Sequence, residues 1–254
     1  MVIRMYRHFY FPDRVKYDTP ERAGLAFESV YFNSADGTQL SGWFIPATGN
    51  TNSVKGTVIH MHGNAQNMSA HWAYADWLPS RGFNLFTFDY RGYGQSQGAP
   101  DPKGIFEDAV AALNAMRNRS DIDTQRLFVF GQSLGGMLAI AAAAASPEGI
   151  CAVLAEAPAH SYSAWAEDQM PQLDLALDDT YCASSYVAQL APIPLLLLHS
   201  RADRVVPYAH SVALFEAAQE PKQLVTLADG EHNDAMTLRH GTRYQDMLLE
   251  FFSQ

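Results

Sequence analysis

The chain has 254 residues, 48% hydrophobic and 17% charged, a globular balance with ample material for a buried core. Its formal charge of −10 argues against a nucleic-acid partner, because displacing phosphate counterions needs a net basic face. No apolar run reaches the length of a transmembrane helix.

In chain order, "MVIRMYRHFYF" is interrupted by Arg4 and Arg7 and is followed by no small-residue cleavage site, so no secretory leader is predicted. Residues 1–27 read as an N-terminal arm in which Arg4, Arg7 and Arg14 alternate with Tyr6, Phe9, Tyr10 and Phe11. Two readings stay open: an arm packed on the domain, or a weak membrane contact at the lipid interface. "ESVYFNS", the Asp36–Gly37 turn and "QLSGWFIPA" predict a hairpin. After it strands and helices alternate. "GTVIHMH", "FNLFTFDY", "RLFVF", "ICAVLA", "IPLLLLH" and "KQLVTLA" are strands. "HWAYADWLPSRG" reads as a helix closed by Gly82, and residues 104–118 place Ile105, Phe106, Ala109, Leu113 and Met116 on one helical face. "VALFEAAQ" and "YQDMLLEFF" supply late helices. This alternation predicts one α/β domain over residues 1–254, a mostly parallel sheet with helices on both faces.

Residues of about 160–191 break the rhythm, being too long for a simple crossover. They read as a small cap insertion, with Trp165, Met170, Leu173, Leu175, Leu177 and Tyr181 walling a substrate pocket, or as an elongated crossover helix that merely covers the sheet. Of the two cysteines, Cys151 in "ICAVLA" reads as a small core residue, neither it nor Cys182 has metal-ligand spacing, and a reducing cytoplasm is the expected compartment.

The chemistry is carried by "GQSLGG", residues 131–136, which lies between an apolar strand and an alanine-rich helix. A serine there must adopt a strained backbone to project its hydroxyl, and glycines two residues to either side leave room for the bend. Ser133 is therefore a candidate nucleophile, which needs a base. Of nine histidines, His232 in "ADGEHND" lies in a loop after the last strand. His60 and His199 are embedded in or end apolar strands and read as packed. Asp203 in "HSRADRVVP" falls just past a strand's carboxyl end and is favoured as the acid orienting His232 over Glu156, Asp229 or Asp234. The oxyanion would be met by two backbone N–H groups, from Leu134 and from Asn64 in "HGNAQN". His60-x-His62 has strand spacing for a metal pair but no acidic cluster follows it, and His62 reads as a brace for that loop. No metal and no cofactor is expected. "FDYRGYGQSQG" has the glycines of a dinucleotide loop, but Pro100 and Pro102 prevent a helix from opening there.

With "HGNAQN" (62–67), "DYRGYGQSQG" (89–98), "GQSLGG" (131–136), "DRVVP" (203–207) and "GEHND" (230–234), the chain from about Glu28 onward resembles the α/β-hydrolase superfamily. It is most similar to a small-cap branch of serine hydrolases that includes membrane-linked lysophospholipases and protein depalmitoylases. The resemblance implies an eight-stranded hydrolase sheet, the roles given above to Ser133, Asp203, His232, Asn64 and Leu134, and a small-molecule acyl ester as substrate. Ester, thioester and lysophospholipid cleavage all fit these parts, with short to medium acyl chains expected from a short cap. A hydrolase-shaped binding protein without activity is the competing class. One departure stands out: relatives with this pattern often carry glycine at the position of Ser200.

Overall fold

In the computed structural model, residues 9–49, 54–171, 177–227 and 229–253 are described. The apolar runs become the strands of one eight-stranded sheet: β2 (Glu28–Asn33), β3 (Gln39–Ile45), β4 (Thr57–Met61), β6 (Asn84–Asp89), β7 (Leu127–Gln132), β8 (Ile150–Glu156), β9 (Leu195–Ser200) and β10 (Lys222–Leu227). They lie in the order β10-β9-β8-β7-β4-β6-β3-β2. The β2–β3 hairpin is antiparallel and joins β6 antiparallel; every other pairing is parallel. This is the mostly parallel α/β sheet expected of the resemblance.

Both faces are buried, and the period of two along each strand assigns side chains to them. On β9, Leu195 and Leu197 join one apolar cluster while Leu196 and Leu198 join the other. The first cluster is covered by α2 (Pro102–Arg117), α3 (Leu134–Ala145) and α6 (Ala209–Ala217), through residues such as Ile105, Leu138 and Leu214. The second is covered by Trp72, Leu78 and the last helix, α7 (Arg243–Phe251).

Two local expectations are corrected. "HWAYADWLPSRG" is no continuous helix: α1 (Met68–His71) starts earlier, where the Asn67 side chain accepts from Ser69 N–H, and gives way to single 3-10 turns at Trp72–Tyr74 and Pro79–Arg81. Gly82 does close the segment, in the left-handed conformation. Cys151 is exposed, not core, because it lies at the amino end of β8, where its thiol points toward Gln125 O at 3.3 Å.

In the segment around residues 160–191, Tyr162 and Trp165 of helix α4 (Tyr162–Gln169) line the cavity that holds Ser133 and His232, whereas α5 (Ala183–Tyr186) packs back on α3. Leu173 and Leu175 lie outside the described residues. The described part of the arm is packed on the domain: Phe9 and Tyr10 are buried, and β1 (Phe11–Pro12) pairs with β5 (Ala65–Gln66). Tyr6, Arg4 and Arg7 lie outside the described residues. No helix among the described residues is long and apolar enough to cross a membrane.

The turn between β7 and α3 is the most constrained point of the fold. Ser133 has φ 55° and ψ −116°, a conformation that costs roughly 1–3 kcal/mol and persists only when its surroundings hold it. A Cβ at Gly131 would come 2.1 Å from Gly135 O, and one at Gly135 would come 2.0 Å from Met61 O. Glycine is needed here for clearance between β4, β7 and α3. Glu156, at the end of β8, then fastens the turn. Its carbonyl accepts from Ser133 N–H (2.8 Å), while its carboxyl accepts from Gln132 Nε2 (2.7 Å) and Ala235 N–H (2.8 Å).

Burial pushes the Glu156 carboxyl up to about 7, against the partial opposition of those two donors. Its folded value thus lies above the unfolded value of 4.5, so its contribution to stability is complete below pH 4.5 and is lost as the pH rises through about 7. At about 1.4 kcal/mol per unit this is of order 3 kcal/mol over the interval. Urea unfolding across pH 4.5–7.5 should show Glu156→Gln to have a flatter stability profile than the parent chain. An identical slope in both would mean that this carboxyl is not the titrating group.

Candidate active site

Four loops converge at the carboxyl ends of the strands, where α/β sheets present their working groups. They follow β4 (Gly63, Asn64), β7 (Ser133), β9 (Asp203) and β10 (His232). Among the described residues, Gly63, Asn64, Ser133, Leu134 and His232 line one cavity of about 240 Å³. Its remaining wall is largely apolar and includes Phe9, Phe11, Met137, Trp165, Val205 and Val206.

Asp203 lies just outside that wall and is buried. Its Oδ2 accepts from His232 Nδ1 at 2.7 Å, and its Oδ1 accepts from the N–H groups of Val205 (2.8 Å) and Val206 (3.0 Å). With Nδ1 donating to a carboxylate, His232 keeps Nε2 as its free lone pair, the tautomer a general base needs. Burial alone would raise the Asp203 carboxyl. Hydrogen bonds from His199 and His232 outweigh that and hold it well below the usual carboxylate range.

His199 was legible only as a packed core histidine. It is buried, but its Nε2 also lies 3.2 Å from Asp203 Oδ2 and 2.9 Å from Val206 O, while Nδ1 lies 2.7 Å from Ser211 Oγ. Both neighbours of Nε2 are acceptors, so Nε2 carries the proton and Nδ1 accepts from the serine hydroxyl. Asp203 therefore takes hydrogen bonds from two imidazoles. The sequence signal was its place four residues before the acid, at the end of the same strand. Ser200, the departure from the resembling pattern, has a use as well. Its hydroxyl donates to Gly230 O (2.6 Å) and accepts from Ala202 N–H (3.1 Å), which ties the acid loop to the histidine loop.

The rival acids go elsewhere. Glu156 reaches the histidine loop at Ala235 N–H, not at the ring. Asp234 accepts from Glu231 N–H at 2.8 Å and lies beside Arg239 and His240. Asp229 is exposed.

Leu134 is the first residue of α3, where an amide has no acceptor within its own helix, and such N–H groups suit an anion. Asn64 is held by its side chain: Nδ2 donates to Phe9 O, and the Tyr93 hydroxyl lies 2.8 Å from Asn64 O and 2.9 Å from Oδ1. His62 Nδ1 donates to Gly63 O (2.7 Å), which braces the same loop. Burial pushes the His62 ring well below its ordinary value and that of His60 down to about 3, so both are neutral. Among the described residues no cluster of His, Cys, Asp and Glu could hold a metal ion.

The glycines of "DYRGYGQSQG" form no phosphate loop. Gly94 closes over the Asp89 carboxylate so tightly that a Cβ would lie 1.9 Å from Oδ2, and α2 begins only at Pro102. Arg91 is bound to Asp108 (2.8 Å) and Asp36 (2.8 Å), which anchors this loop and with it Tyr93.

Of the predicted pocket residues, Trp165 lines the cavity. Met170 and Tyr181 are not among its described lining and are corrected here. Met170, just past the end of α4, packs against the apolar cluster beneath, and the Tyr181 ring lies 5.4 Å from that of Phe106 on α2. Leu173 lies outside the described residues. Phe9 and Phe11 were not foreseen as lining, because nothing local in the arm shows where it lands.

Residues 52–187 match the family described as serine aminopeptidase, S33. The chain is 45% identical over 245 residues to the protein YfhR of Escherichia coli strain K12, spanning 96% of this chain and 85% of that one. It is 28% identical over 250 residues to human alpha/beta hydrolase domain-containing protein 17B, spanning 95% and 81%. The structure of the Pyrococcus furiosus esterase Pf2001 superposes with a TM-score of 0.78 at 21% identity, covering 96% of this chain and 97% of that one. The family match over more than half the chain, the similarity to YfhR and the eight-stranded sheet agree: the chain belongs to the α/β-hydrolase superfamily, within the serine aminopeptidase S33 family.

Proposed function

We propose that this hydrolase is a serine carboxylesterase that works through an acyl-enzyme. The observation that carries the reading is the 2.7 Å bond from His232 Nδ1 to the buried, ionised Asp203, with His232 and Ser133 on one apolar cavity. His232 Nε2 takes the proton of Ser133, whose oxygen attacks the ester carbonyl. The N–H groups of Asn64 and Leu134 receive the oxyanion, and His232 returns the proton to the departing alcohol. Water, activated by the same imidazole, then releases the acid. Side chains, backbone amides and water suffice, so no metal or organic cofactor enters any step.

Two features favour a neutral acyl ester over the N-terminal residue of a peptide. Removing such a residue means binding its ammonium in a site screened from water, which calls for a carboxylate partner. Among the described residues that line the cavity there is no Asp or Glu. The cavity's 240 Å³ is also below the roughly 300–1,000 Å³ of sites that enclose drug-sized ligands, which supports short to medium acyl chains.

A fluorophosphonate probe should label the parent chain and leave Ser133→Ala unlabelled. No label on the parent would favour the silent binding protein instead. Asp203→Asn should lose turnover by about 10⁴-fold. An amide nitrogen in place of Oδ2 would donate to His232 Nδ1 and drive the ring proton to Nε2, where the base is needed. Glu156→Gln should be far milder, and the reverse ranking would reassign the acid. Across p-nitrophenyl esters from acetate to palmitate, kcat/KM should peak at short or medium chains. A palmitate optimum would reject the small-pocket reading.

A further inference from the structure

The arm before the first sheet strand is not an appendage. Phe9 is only 3% exposed and lines the cavity that holds Ser133 and His232. Its ring centroid lies 5.2 Å from that of Trp165 and 6.2 Å from that of Tyr162, both on the cap helix α4. Next to it, the Tyr10 hydroxyl donates to the Tyr162 hydroxyl at 2.6 Å, which joins arm and cap by a buried hydrogen bond. Phe11, at 56% exposed, lies on the same cavity, so the arm runs from its interior to its rim.

The arm is also fastened at a defined register. β1 pairs with β5 through Phe11↔Ala65 and Pro12↔Gln66, Asp13 N–H donates to Gln66 O (3.2 Å), and Gly94 N–H donates to Asp13 O (2.9 Å). Asn67 Nδ2 donates to Asp13 Oδ1 at 2.7 Å. A ring held by backbone pairing on one side and by aromatic contacts on the other is a rigid surface.

We propose that Phe9 is a specificity-determining residue: braced against Trp165, it forms the inner wall that limits the acyl chain the cavity accepts. This rests on the esterase reading above and deepens it. In an apolar pocket, room gained or lost for one methylene changes kcat/KM by about tenfold or more. The wall therefore acts on the ratio between chain lengths and leaves the chemistry at Ser133 unchanged.

The test uses the whole chain and two opposite variants, Phe9→Ala to deepen the cavity and Phe9→Trp to shorten it. Each is assayed on p-nitrophenyl acetate, butyrate, hexanoate, octanoate and decanoate, with fluorophosphonate labelling of Ser133 as the measure of an intact site. Phe9→Ala should move the optimum to longer chains and raise the octanoate-to-butyrate ratio of kcat/KM by about tenfold. Phe9→Trp should move it the other way. A merely structural aromatic would give parallel losses at every chain length, and that result, or an unchanged optimum in both variants, overturns the proposal. Where Phe9→Ala loosens the arm and lowers labelling, Trp165→Ala removes the same wall from the cap side and should lengthen the optimum likewise. A parent chain that neither labels nor cleaves any ester would sink the esterase reading and the wall together. Labelling with an unmoved optimum sinks the wall alone.

Discussion

One buried carboxylate constrains the site. Asp203 takes four N–H donors, from His232, His199, Val205 and Val206. Such a group is tolerable in the interior only as an ionised acceptor with every lone pair used. That arrangement decides which nitrogen of His232 carries the proton. His199 and Ser211 behind it decide where the carboxylate stands. The loop Asp203–Val206 in turn supplies two wall residues of the cavity, so Asp203, His232 and part of the cavity wall are joined in one piece.

Ser133, the proposed nucleophile, is held by a second, separate polar system. Thr87, His60, Gln132 and Glu156 sit on β6, β4, β7 and β8 and touch in that order, at 3.3, 3.3 and 2.7 Å, ending on Ala235 N–H in the histidine loop. A buried network whose members are all satisfied adds rigidity, and here it spans the strands on which the Asn64 loop and Ser133 are mounted. The strain at Ser133 is thus opposed by a carbonyl, two glycine clearances and a hydrogen-bonded row across the sheet. This accounts for a side chain such as Glu156, with an acid's chemistry and a strand-end position, that serves a different purpose from Asp203.

The arm and the cap complete what the sheet leaves open. Polar groups at the strand ends would face solvent without a covering layer, and this chain builds that layer from two short pieces far apart in sequence. Helix α4 is also tied to α6 by His210 and Asp168, 2.5 Å apart, and to the acid loop by Gln169 Nε2 donating to Val205 O at 3.0 Å. The cavity is therefore walled by elements that lean on the loops of Asn64 and Asp203.

The sheet and its longer helices were readable along the chain, because burial on two faces writes itself as apolar runs and the bend at Ser133 demands glycines nearby. Ser133, Asp203 and His232 became candidates for the same reason: each follows an apolar run that ends at the carboxyl edge of the sheet. His199 ends such a run too, but its bond to Asp203 depends on how the turn after β9 folds back, which the run does not show. Trp165 was foreseen in the pocket, but Met170 and Tyr181 were placed there with it, since a cap's composition does not say which side of it faces the cavity. The sequence by itself determined the mostly parallel α/β fold and named the candidate residues, through local periodicity and backbone sterics. Only the tertiary structure decided which imidazoles share the acid and which aromatic rings close the pocket, because those contacts join residues up to 156 positions apart, as in Phe9 and Trp165, and no local pattern encodes them.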